Sequence, residues 1–246
     1  MTRIHLSIAV FMGLGLAATE ATAQVTIDRS TSALQFTFAW PVEAARIPAL
    51  DRRFRGELAK ALSQARASAV ADRQLAKQQQ RDFHAHLYAM NWTTAGHTPR
   101  LLSLVSQVAT FEGGAHPMTN YNGLLWDRRL NRQIAVSDLF LHASAFAALT
   151  RAPYCAGLDR ERATKRQGAP AGLPEFDACP KFSELTVAPV DGDHDQRFDT
   201  FEFIAAPYTA GPYVEGQYTV KVPVTARLIA AIKPAYRTAF EAQRRQ

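Results

Sequence analysis

Histidine, carboxylate, cysteine and clustered tyrosine are the residue types in this chain that could do chemistry, and each occurs at a spacing that can be tested against a mechanism. His84 and His86 stand two residues apart in an alternating stretch, so on one strand their rings would share a face and could share a metal. No third ligand accompanies them, and a pair of strand histidines facing solvent or a polar pocket is the simpler reading. Asp191, Asp193, Asp195, Asp199 and Glu202 fall at the oxygen-ligand positions of a calcium loop, with Glu202 at the bidentate place. However, Gln196 occupies the position that needs glycine and the flanks read as strands, so an acidic hairpin turn is expected instead. There is no G-x-S-x-G elbow, no glycine-rich phosphate loop ending in Lys-Ser/Thr and no H-E-x-x-H pair. These observations assign no catalytic residue, no metal and no cofactor.

Two segments have a composition suited to recognition. FEGGAHPMTNYN, Phe111–Asn122, places two glycines, a histidine and a proline between strands, which suits a shaped loop. It supplies Glu112, Gly113, Gly114, His116, Asn120 and Tyr121 as candidate binding residues. PYTAGPYVEGQYTVKVP, Pro207–Pro223, packs three tyrosines among glycines and prolines and supplies Tyr208, Pro212, Tyr213, Glu215 and Gly216. Rigid aromatic side chains on such a framework contribute contact area at small entropic cost. Two other readings stand beside this one. His116 with an acidic partner in a cleft between the loops would act as a general acid/base, or the tyrosines would cap a sheet edge and serve structure alone.

The elements that must position these residues follow from hydrophobic periodicity. Residues 33–40 alternate as a half-buried strand ended by Pro41, and Ile47, Leu50, Phe54, Leu58, Ala61, Ala65 and Ala69 mark one face of a long helix. Strands are expected at 83–92, 101–111, 121–126 and 133–136, with the turn between the first two at 93–99 and a hairpin at Asp127–Arg132. Ser137 is placed as a helix cap, with the helix ending before Pro153. Strands at 184–190, 201–205 and 218–223 follow, then a carboxy-terminal helix from Thr225 to about Gln243 with a break at Pro234. The order β-α-β-β-β-β-α-β-β-β-α predicts an α+β fold, an antiparallel sheet with a long amino-terminal helix and a carboxy-terminal helix packed on it.

The first residues set the compartment. Arg3, an uncharged apolar run from Ile8 to Ala18 and a small-x-small close at Ala21, Thr22, Ala23 have the order of a secretory signal peptide over residues 1–23. The run is too short to span a bilayer. The mature chain would begin at Gln24 as a periplasmic or secreted protein, in two halves, 24–140 and 141–246, of one compact unit. In an oxidising compartment the isolated pair Cys155 and Cys179 reads as a disulfide, tying off a segment of Gly, Pro and charge that looks too polar to pack by itself. The net charge of +6 is spread along the chain without interleaved aromatics, which argues for a solvated surface and against a nucleic-acid partner.

GGAHP followed by YN, a strand, a polar hairpin and SDLF, then PYxxGPYxxG leading to a strand that ends in VP, resembles a known extracytoplasmic domain. It is the family shared by the lysozyme-sensing anti-sigma factor RsiV and the amino-terminal region of the peptidoglycan deacetylase PdaC. The resemblance runs from about Leu34 to Phe240, PdaC-like in residues 24–140 and RsiV-like in 141–246. It implies an α+β fold and a binding role toward an envelope protein such as a muramidase, or toward a peptidoglycan-related ligand. This sequence lacks the cytoplasmic sigma-binding segment, the membrane helix and the catalytic deacetylase domain of those relatives, so sigma regulation, membrane insertion and deacetylation do not carry over.

Overall fold

The computed structural model describes residues 23–169 and 172–243. The expected signal peptide lies outside them except for Ala23. Strand β1 (Gln24–Asp28), an addition to the expected order, begins at the residue expected to follow cleavage and pairs antiparallel with β2 (Leu34–Pro41). One short turn, α1 (Val42–Ala45), leads into α2 (Pro48–Gln78), which opens with proline at its first helical position, where no backbone donor is lost. All seven residues of the periodic face, Ile47 to Ala69, pack into one core with Phe36, Phe38, Trp40 and Trp92, while Arg53–Glu57 and Arg55–Asp51 pair along the outer face.

Strands β3 (His86–His97), β4 (Leu101–Phe111), β5 (Met118–Asp127) and β6 (Arg132–Ile134) complete a sheet of order β1-β2-β3-β4-β5-β6. Its pairs are antiparallel except β2–β3, which is parallel. The long helix between those two strands carries the chain back to the end where β2 began, and such a crossover leaves two strands pointing the same way. The fold is therefore α+β with a mixed principal sheet. The expected turn at 93–99 is shorter, because β3 continues through His97, and Thr98 Oγ1 accepts from the backbone N–H groups of Arg100 and Leu101 to close it.

The second half departs further from periodicity. After a 3-10 turn at Val136–Leu139, helix α3 (Ala143–Arg166) continues past Pro153, where the sequence predicts a stop. Pro153 removes one helical hydrogen bond, yet Phe146, Thr150, Tyr154 and Leu158 continue one buried face across it, and their packing offsets that loss. The segment 156–166 is thus helix rather than polar loop. Cys155 on α3 bonds Cys179 with Cα atoms 5.6 Å apart, as expected. Arginines on the same helix hold the returning chain. Arg151 donates to the carbonyls of Cys179 and Pro180, and Arg162 to those of Asp177 and Ala178.

Strands β7 (Thr186–Val190), β8 (Thr200–Ala205) and β9 (Tyr218–Pro223) form a second, antiparallel sheet. Helix α3 covers one side of it, with Phe146, Tyr154 and Leu158 against Phe203 and Val220. Strand β7 crosses the face of the principal sheet opposite α2, and two glycines permit the contact. A Cβ at Gly123 would lie 2.8 Å from the Val187 carbonyl oxygen, and one at Gly96 2.7 Å from the Asp191 nitrogen. Across these windows Thr186 Oγ1 donates to the Tyr121 carbonyl (2.8 Å) and Asp191 N–H to that of Ala95 (3.3 Å).

The carboxy-terminal helical segment is short. Thr225 caps α4 (Ala226–Ala231) by accepting from the Leu228 N–H, and the chain then extends through Ile232 before a 3-10 segment at Pro234–Ala239. Pro234 excludes its predecessor from helical backbone, which divides what the periodicity predicts as one helix. Tyr236 anchors this end. Its hydroxyl donates to the fully buried Asp127 (2.9 Å), which also accepts from Arg100 and from the N–H groups of Arg129 and Leu130, and the Arg100 guanidinium lies 4.0 Å over the Tyr236 ring.

Candidate functional site

The two loops singled out by composition meet. The first joins β4 to β5, the second joins β8 to β9, so the contact bridges the two sheets. His116 stacks on Tyr213 with ring centroids 3.7 Å apart and planes 22° from parallel. Its Nε2 is 3.2 Å from the Tyr208 hydroxyl and its Nδ1 3.0 Å from the Pro117 carbonyl, which also accepts from the Tyr213 hydroxyl (2.7 Å). Tyr208 and Tyr213 themselves lie 5.6 Å apart. The three rings form a cluster open to solvent, with Tyr208 47% exposed and the adjacent Val214 90% exposed.

Local sequence explains the geometry. Pro212 caps a single 3-10 turn at Tyr213–Glu215, and Gly216 ends it at φ +68°, a left-handed conformation in which a side chain is strained. Tyr208 adopts φ +70° without being glycine, and its N–H donates to the Gly211 carbonyl. Bulky residues rarely occupy that region, so the tight turn holds an aromatic ring outward at an energetic cost.

The remaining candidates divide. Glu215 faces inward, where Arg166 on α3 bonds both carboxylate oxygens and the Tyr218 hydroxyl donates to one of them. Burial alone would raise its carboxyl, but Arg166 and Tyr218 outweigh it and hold the group below its usual range, while burial and then Glu215 push Tyr218 up to about 12. Glu112 is exposed and lies toward α2, its carboxylate 3.4 Å from Ser68 Oγ. Gly113 takes φ +83°, and Gly114 has open space where a side chain would be. Asn120 is exposed on β5, and Tyr121 turns toward the space between the sheets. Val214 is the member of the patch that the sequence reading missed, although it lies within the PYVEG motif.

The other constellations resolve as follows. His84 precedes β3 and is exposed, whereas His86 is 3% exposed and sits 3.4 Å from Asp72, so the pair shares no face. Asp191, Asp193 and Asp195 converge to within 4.8 Å of one another, but both Asp191 oxygens accept backbone N–H groups, from Asp195 and Gln196, and Asp195 pairs with Arg197. Gln196 adopts φ +69° at the position where calcium loops carry glycine. Glu202 lies on β8, and strands flank the turn on both sides, as a hairpin requires.

Comparison with known proteins bears on this arrangement at two levels. Residues 27–119 match the family model described as Deacetylase PdaC. This PdaC-type segment runs from the end of β1 to the start of β5 and includes the Glu112–His116 loop, but not the tyrosine loop. The fold as a whole is similar to that of a DUF3298 family protein from Pseudomonas aeruginosa PAO1, with 15% identity, a TM-score of 0.55, and 91% of this chain and 99% of that one covered. A DUF3298 family member from Bacteroides fragilis NCTC 9343 shows 14% identity, 82% and 90% coverage and a TM-score of 0.49. No curated protein matches the chain. The PdaC-type segment thus lies within a DUF3298-like fold in which loops from the two sheets meet at the His116 cluster.

Proposed function

We propose that the chain is an exported, non-enzymatic binding domain of the cell envelope, and that it recognises a wall-associated ligand through His116, Tyr208, Tyr213 and Val214. The observation that carries this reading is the stacking of His116 on Tyr213. It places two loops from different sheets in one solvent-facing aromatic patch, the kind of surface that anchors interfaces. The Cys155–Cys179 disulfide is consistent with export, and no helix among the described residues is long and apolar enough to cross a membrane.

The enzymatic reading would need a carboxylate beside His116. The groups bonded to the ring are the Tyr208 hydroxyl and the Pro117 carbonyl, and Glu215 is engaged by Arg166. An exposed valine beside three rings suits a protein surface, so a muramidase-like protein is the favoured ligand and wall glycan the second. Charge selects among muramidases. The chain carries +6, and Glu215 offers no free carboxylate at the patch. A strongly basic lysozyme is therefore repelled at long range.

Titration of the mature domain with muramidases of differing charge tests this. The expected result is binding to a near-neutral muramidase with little salt dependence, and weak binding to a strongly basic one that improves as salt screens the repulsion. Tightest binding to the basic protein at low salt, weakening as salt rises, would contradict it.

A further inference from the structure

A second surface, separate from the aromatic patch and independent of its function, lies where the two sheets face each other beside β7. We propose that this groove is a saccharide-binding cleft. It encloses about 550 Å³, within the usual size range of small-molecule sites.

Its walls are two rows fixed by strand register. Gln107 on β4 stands opposite Tyr121 on β5, while Glu202 on β8 stands opposite Lys221 on β9, with Thr219 two residues along and Gln217 at the entrance to β9. Among the described residues the side chains of Gln107, Glu202, Gln217, Thr219 and Lys221 make no hydrogen bond or ion pair within the protein. Five polar groups from different strands thus converge on one space with their bonding capacity unspent.

The chemistry of that space selects the ligand. Amide side chains each offer a donor and an acceptor in one plane, which matches the paired donor and acceptor character of neighbouring sugar hydroxyls. The Tyr121 ring supplies the apolar face that sugar C–H groups pack against. Glu202 opposes Lys221, and the Asp191 carboxylate at one end is held by the Asp195 and Gln196 N–H groups, so the groove has no excess of positive charge, which argues against a phosphate or nucleotide. Its polar walls argue against an acyl chain, and because they are sheet faces rather than free edges, they do not template an added peptide strand. A neutral oligosaccharide, with hydroxyl or acetamido substituents, satisfies all three constraints.

Titration of the disulfide-intact mature protein with chitotetraose and with cellotetraose, followed by amide NMR, tests the assignment. We expect one or both sugars at millimolar concentration to shift the side-chain amide signals of Gln107 and Gln217. Gln107→Ala and Gln217→Ala should each weaken binding roughly fivefold, the loss of one neutral hydrogen bond, at unchanged melting temperature. The shifts should stay confined to residues that line the groove, with Gln107 and Gln217 moving together, which separates this site from the patch. If neither sugar moves those signals, or if binding survives both glutamine substitutions, the groove is not a saccharide site.

Discussion

Tyr208 and Asp127 show how single residues in this protein accept or avoid cost. At φ +70°, Tyr208 is held in a conformation that disfavours any residue with a Cβ. Tyr208→Gly and Tyr208→Ala both remove the ring, but only glycine relieves the backbone. The glycine variant is predicted to be more stable than the alanine variant by about 1 kcal/mol, measured by chemical denaturation, and equal stabilities would remove the argument for strain. Asp127 is buried and yet ionised. Burial would raise its carboxyl, but the Leu130 N–H, Arg100 and Tyr236 together hold it below its usual range. A carboxyl depressed by folding contributes stability that is present above its unfolded pKa, near 3.9, and is lost as pH falls through the folded value. Asp127→Asn should therefore be least stable relative to the parent at neutral pH, with the gap closing below about pH 4. A gap that widens on acidification would contradict this account.

At the scale of elements, the clearest sequence signals were those with uninterrupted periodicity. The stripe from Ile47 to Ala69 was legible because a helix with one buried face must repeat that way, and β4 and β9 occupy the expected residues 101–111 and 218–223. Helix α3 was half legible. Pro153 reads locally as a stop, and only the tertiary burial of Tyr154 and Leu158 carries the helix beyond it. The arginine-rich stretch after Cys155 looks unable to pack, because the sequence does not show that its guanidinium groups bond carbonyls of the returning chain. That redundancy gives a prediction. The double variant Cys155→Ser/Cys179→Ser should lose about 3 kcal/mol in denaturant titration yet keep its far-ultraviolet spectrum, because Arg151 and Arg162 still hold the segment; collapse of the spectrum would give the disulfide the sole role. The glycine windows were not legible at all, since Gly96 and Gly123 matter only where β7 crosses them. Gly123→Ala should destabilise by about 1–3 kcal/mol through overpacking against the Val187 carbonyl, and a neutral effect would mean that β7 does not rest there.

At the scale of the whole molecule, the PdaC-type segment supplies strands β2 to β4, the long helix and the histidine loop, and the rest supplies most of β5, all of β6, the second sheet and the tyrosines. Composition flagged both loops and placed them at one site, but that they come from two different sheets was not readable, nor was the inward turn of Glu215 toward Arg166. The inter-sheet groove was invisible for the same reason, as its polar side chains come from separate strands with no local pattern. The central claim is that the His116 cluster is a recognition surface and not merely a clasp between sheets. The most direct test measures affinity and melting temperature together for His116→Ala and Tyr213→Ala, with a near-neutral muramidase and with soluble wall fragments as ligands. The account predicts that each substitution weakens binding to at least one ligand roughly tenfold, as expected for an aromatic hot spot, while the melting temperature barely moves. If both variants unfold at markedly lower temperature, and the parent binds neither ligand, the cluster is a structural clasp and the proposed recognition surface is wrong.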